Sequence, residues 1–188
     1  YININIKKKH LPSLLKIAVL QPIAYFICET FGIQMTTASE SGSIIACIPI
    51  ASLVASILFL QKKPTRFQTS GICLTVVGVI VCVTAKGFES SFSGIGYIML
   101  CMAVLSYSLY CVSAEKADKT TSIEKTYVMI ACGACFFATM AIARSIAAGT
   151  VVDLFMLPFQ NTVFLFSILY LGIASSVLSF VLFNICLL

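Results

Sequence analysis

The chain has 188 residues, 60% of them hydrophobic and 10% charged, with a mean hydropathy of +1.04. Ordinary soluble domains are roughly 45 to 50% apolar and about 25% charged. Twelve basic and seven acidic side chains cannot cover a water-soluble molecule of this size; a soluble fold is excluded and lipid is the expected solvent.

A membrane-crossing helix needs about 20 consecutive, mostly apolar residues, each adding ~1.5 Å across a hydrocarbon core of ~30 Å. Six stretches qualify: Leu14 to Ile33, Ser43 to Leu60, Gln68 to Ala85, Gly94 to Ser113, Tyr127 to Ile146 and Val163 to Asn184. All are too long and too uniformly apolar for barrel strands, which alternate over about 10 residues. The expected fold class is all-α, a polytopic transmembrane helical bundle.

The first span carries Pro22, Tyr25 and Glu29. Glu29 lies about 15 residues beyond Leu14, about 22 Å along the helix. A charged side chain at membrane depth costs roughly 2.5 to 3.5 kcal/mol on insertion scales, which makes it a functional candidate by default. It could carry a proton or meet a polar substrate group; the plainer alternative is a solvated carboxyl near the mouth. Pro22 cannot donate to the carbonyl of Ala18, nor Pro49 in the second span to that of Ile45, so both are hinge candidates. Thr37-Ala-Ser-Glu40 reads as a capping box opening the second span. The pairs Gly42 with Ala46, Ala51 with Ala55 and Ser52 with Ser56 have the small-residue spacing that lets membrane helices approach closely. In the fourth span Ser106, Tyr110 and Ser113 share a narrow arc, either a polar path or a packing face. Cys132 and Cys135 in the fifth span fall on one helix face, but a metal site needs further ligands and the only histidine, His10, stands outside the spans. No metal and no cofactor is expected, and packing is the expected role of the nine cysteines.

Charge gives the orientation, because Lys and Arg concentrate in cytoplasmic loops. One side receives Lys7, Lys8, Lys9, Lys16, Lys62, Lys63, Arg66, Lys116, Lys119 and Lys125; the other receives only Lys86 and Arg144. The loops at 61–67 and 114–126 are therefore expected in the cytoplasm, with the cytoplasmic membrane as the location. That asymmetry accounts for the net charge of +5 without nucleic acid as a partner.

Catalysis is not expected, since no span carries a histidine pair, an acid pair or a serine with histidine. An offset of 155 residues lays Tyr25-Phe-Ile-Cys-Glu29 on Phe180-Val-Leu-Phe-Asn184. These segments would run in opposite directions through the membrane, as in the inverted repeats of secondary transporters. Asn184 can only hydrogen-bond, either on the transport path or as glue between helices.

The run from Tyr25 to Pro49, with Gly32-Ile-Gln-Met-Thr-Thr-Ala-Ser39 at its centre, resembles the third-to-fourth helix region of EamA-type members of the drug/metabolite transporter superfamily. Gln68-Thr-Ser-Gly71 with Gly78-Val, then Gly94-Ile-Gly-Tyr97 through Tyr107-Ser-Leu-Tyr110, and finally Tyr170-Leu-Gly172, resemble its fifth, sixth and eighth helices. The chain lacks Trp, and Gln61-Lys-Lys-Pro-Thr65 stands where relatives often carry an acid.

The resemblance implies ten helices in two inverted five-helix repeats, with 1–87 from the first and 88–188 from the second. The initial Tyr and the apolar run from Asn184 to Leu188 fit an excerpt covering helices three to eight. The implied activity is secondary transport, exporting small metabolites or amino-acid-like solutes by alternating access, with proton coupling as an option. Glu29, Tyr25, Ser106, Tyr110 and Asn184 are the path candidates and Pro22 and Pro49 the hinges. The partners are a small-molecule substrate and the bilayer, with a homodimer as an option. A non-transporting membrane scaffold or partner subunit is the alternative.

Overall fold

The computed structural model describes residues 11–86, 93–117, 120–179 and 182, and every regular element among them is a helix. The elements are α1 (Leu11–Ala18), a wider π-type segment (Val19–Ala24), α2 (Tyr25–Gln34), α3 (Ala38–Ile45), α4 (Ile48–Leu60) and α5 (Arg66–Lys86). They continue with α6 (Gly94–Lys116), α7 (Ser122–Ala148), α8 (Val151–Gln160), α9 (Thr162–Leu169) and a second π-type segment (Tyr170–Leu178). The first five expected spans fall on these helices in order, as does the sixth up to residue 179; the rest of the sixth, apart from residue 182, lies outside the described residues. Four runs, Leu11–Gln34, Ala38–Leu60, Gly94–Lys116 and Ser122–Ala148, are long and apolar enough to cross a bilayer. Arg66–Val81 and Thr162–Ile173 are shorter apolar helical runs among the described residues. The protein is a polytopic membrane helical bundle. The sequence reading did not anticipate α8, whose Val152 and Phe159 are exposed.

Local chemistry explains the helix ends. Thr37 caps α3, accepting from the Glu40 N–H while the Glu40 side chain accepts from the Thr37 N–H, so the expected capping box is present. Thr121 and Glu124 build the same box at the start of α7. Gly149 closes α7 at φ 69°, a left-handed conformation that glycine adopts without a Cβ clash.

The described residues divide into two compact units. In the first, α1 packs on α7, and the pair buries Leu14 and Ile17 together with Val128 and Met129. In the second, residues 19–116, α6 packs against α2, α3, α4 and the first π-type segment. The α6 side chains of Leu100 and Tyr110 are wholly buried.

Of the small residues of the second span, Ala55 is buried and Ser52 reaches Cys111 of α6, whereas Gly42 makes no close approach. A Cβ on Gly42 would meet nothing within 4 Å. A Cβ on Gly32 would lie 2.6 Å from Leu100 Cγ, and one on Gly96 would lie 2.7 Å from Thr36 Cγ2 and 2.9 Å from Met35 Cβ. The tight contact is therefore between α2 and α6, made by two glycines from different helices.

Candidate functional site

The site grows out of a proline. A proline disfavours the α region for the residue before it, and Gln21, before Pro22, takes φ −142° and ψ 117° inside an otherwise helical run. The Leu20 carbonyl beside this break accepts a hydrogen bond from Ser106 Oγ of α6 at 2.8 Å. Ser106 is thus on the α2–α6 seam, with its hydroxyl committed to backbone. Gln21 itself is only 3% exposed, and its Oε1 has no hydrogen-bond partner among the described residues.

One turn further, α2 resumes and brings Tyr25 and Glu29 onto the same stripe, four residues apart. Tyr25 Oη donates to Glu29 Oε1 at 2.8 Å. Glu29 is half-buried and Tyr25 buried. The Tyr25 ring meets Tyr107 edge-on at 5.5 Å, and Tyr107 meets Tyr110 in the same way at 5.5 Å. A carboxylate is thereby joined through one phenol to a row of three tyrosine rings running into the interior. The arrangement combines a carboxylate acceptor with edge-on packing of buried aromatic rings.

Four of the expected path residues, Tyr25, Glu29, Ser106 and Tyr110, meet on this seam together with the hinge candidate Pro22. Ser113, on the expected polar arc, is half-buried. Pro49 is elsewhere: α3 stops at Ile45, a turn follows at 46–47, and Pro49 sits exposed in the first turn of α4. Asn184 lies outside the described residues, so its pairing with Glu29 through the repeat does too.

Sequence reasoning missed two members of the seam. Tyr107 links Tyr25 to Tyr110; its spacing of three from Tyr110 was the available signal, but the arc through Ser106, Tyr110 and Ser113 pointed to a different face of α6. Gln21 carries no sequence signal beyond standing before Pro22.

The seam is braced at both ends of α6. At its N-terminal end Tyr97 Oη donates to Glu40 Oε1 at 2.6 Å, so the capping carboxylate also ties α3 to α6. At its C-terminal end Glu115 pairs with Lys62, just past α4, and Lys116 Nζ stands 5.9 Å from the centre of the Phe59 ring. Between them Ser52 Oγ donates to Cys111 Sγ at 3.7 Å. No group of three His, Cys, Asp or Glu residues able to hold a metal ion exists among the described residues.

Helices of this length and apolarity around a half-buried carboxylate define a membrane protein with a polar seam at depth. Residues 2–84 match the EamA-like transporter family. The chain is 33% identical over 186 residues to a Bacillus subtilis (strain 168) protein named "Uncharacterized transporter YcxC", an alignment covering 98% of this chain and 59% of that protein. It is 29% identical over 107 residues to "Protein PagO" of Salmonella typhimurium (strain LT2), covering 53% of this chain and 34% of that one. No solved structure matches. The chain is thus similar to EamA-like transporters, over residues 2–84 for the family and over 186 residues for the Bacillus protein. It spans 59% of the length of its Bacillus relative.

Proposed function

We propose that the whole protein is a secondary transporter that exports small metabolites or amino-acid-like solutes by alternating access, with a proton carried on Glu29. The hydrogen bond from Tyr25 to Glu29 inside an apolar span carries this reading. A carboxylate only accepts hydrogen bonds, whereas a protonated carboxyl also donates. Protonation of Glu29 would therefore change its bond to Tyr25, and through the tyrosine row it would bear on the packing of α2 against α6. That is the kind of link by which a coupling ion can favour one of two arrangements. Similarity of residues 2–84 to a family of transporters, and a relative named as a transporter, support the class of activity and make catalysis an unneeded explanation.

In this reading residues 1–87 and 88–188 belong to two inverted repeats, and the membrane is the cytoplasmic one. The loops at 61–67 and 114–126 face the cytoplasm. The ten basic residues on that side support the orientation, and the Lys62–Glu115 pair is in keeping with both loops lying on one side.

The test is Glu29→Gln in the full-length protein, assayed for efflux across a metabolite panel at several pH values. The variant should lose most of its transport and its pH dependence at unchanged membrane abundance. Transport equal to wild type at every pH would remove Glu29 from the mechanism, and no efflux of any solute by the wild type would favour a scaffold.

A further inference from the structure

We propose that Gln21 Oε1, in the break between α1 and α2, is the acceptor for a hydrogen-bond donor group on the transported solute: an ammonium, an amide N–H or a hydroxyl. The proposal rests on the transport reading above and names the chemistry of its substrate.

Three observations lead to it. Gln21 is 3% exposed and its Oε1 has no partner among the described residues. Buried polar atoms are almost always hydrogen-bonded, and one that is not is a group whose partner arrives from elsewhere or whose burial is a standing penalty. An apolar side chain of the same shape would carry no such penalty, so a packing role alone does not call for glutamine.

The second observation is place. Gln21 lies ten residues into the run Leu11–Gln34, about 15 Å along it, near the middle of a hydrocarbon core of ~30 Å. Its extended backbone is the kind of irregularity tolerated at that depth only where it faces protein or a water-filled cavity.

The third is that the hydroxyls flanking Gln21 along the seam are already engaged. Ser106 Oγ is given to the Leu20 carbonyl and Tyr25 Oη to Glu29. Neither can turn to Gln21 without abandoning a bond. The group that meets Oε1 must therefore come from outside this set, and it must donate. A solute carboxylate, which only accepts hydrogen bonds, could not answer Gln21 Oε1 and is disfavoured there. In the conformation described the oxygen is shut off from solvent, so binding requires α6 and the first π-type segment to part. Donor recognition and opening of the seam are then one event.

The same donor chemistry has a second source, a fixed water molecule, and the experiment separates the two. In a cysteine-free background of the full-length protein in membrane vesicles, Gln21→Cys and Glu29→Cys are exposed to 2-aminoethyl methanethiosulfonate. Both should label, because alternating access opens the seam. In parallel, purified wild type and Gln21→Leu are titrated with n-butylamine, n-butanol and n-butyltrimethylammonium, which share an apolar stem but differ in their ability to donate. Wild type should favour the two donors by about tenfold over the trimethylated ion, and Gln21→Leu should lose that preference; tenfold corresponds to ~1.4 kcal/mol. Gln21→Met serves as a second apolar variant if the leucine variant does not fold. Labelling at Glu29→Cys without labelling at Gln21→Cys, or an equal response of wild type and Gln21→Leu to all three probes, overturns the proposal in favour of a fixed water and leaves the transport reading standing. Labelling at neither position overturns both.

Discussion

Two apolar runs in residues 19–116 are interrupted near a proline, and they are interrupted differently. Around Pro22 the preceding residue is extended, and the neighbouring Leu20 carbonyl is caught by Ser106 of another helix. Before Pro49 the backbone stays in the helical region: Ala46 and Cys47 have φ −62° and −78°, and the Cys47 N–H tightens onto Ile44 O at 3.0 Å. Pro49 then falls in the first turn of α4, where its missing N–H is of no consequence. A proline removes a donor in both places. Whether the backbone opens into a site or merely turns depends on what the neighbouring helix brings to the freed groups.

That contrast can be broken or sharpened by substitution, each variant read as a change in unfolding free energy of the full-length protein in micelles. The largest effect is expected from Gly32→Ala, which forces a Cβ to 2.6 Å from Leu100 Cγ and should destabilise by about 1–3 kcal/mol through overpacking. A neutral result would mean that the α2–α6 seam is looser than its geometry. Ser106→Ala comes next: removing the donor to the Leu20 carbonyl beside the first break should cost about 1–2 kcal/mol, and no loss would indicate that the carbonyl finds another partner.

Gly42→Ala is the same substitution as the first with the opposite expected sign. Its Cβ would meet open space, so the better helix propensity of alanine should stabilise by up to about 1 kcal/mol. Destabilisation there would show that the second span packs through Gly42 after all. Pro49→Ala should be the smallest, within about 0.5 kcal/mol of wild type, as for substitutions away from strained or buried groups. A large loss would make the second interruption as structured as the first.

How much of this was legible beforehand varies with the residue. The capping box at Thr37 and Glu40 could be read directly because a cap is a local event, settled within four residues. That Glu40 also receives Tyr97, fifty-seven positions on, could not be, since nothing in either segment names the other. Glu29 stood out because an acid in an apolar span is conspicuous by composition alone. Its partner Tyr25 was within reach by helical spacing, whereas Tyr107 joined the site only because α6 packs on α2. Pro49 was legible as an interruption but not as a helix start, because proline is compatible with both and the turn before it decides.

Composition and charge determined by themselves that this chain lives in lipid, that it is built of helices, and where the apolar spans run. These are consequences of solvent and of the length of a bilayer crossing, which each segment satisfies alone. Only the tertiary structure decided which faces meet: that Gly32 and Gly96 rather than Gly42 set the tight seam, that three tyrosines form one row beside Glu29, and that Gln21 is buried with its oxygen unanswered among the described residues. A helical period says which side chains share a face, while the partner of that face is chosen by packing among segments far apart in the chain.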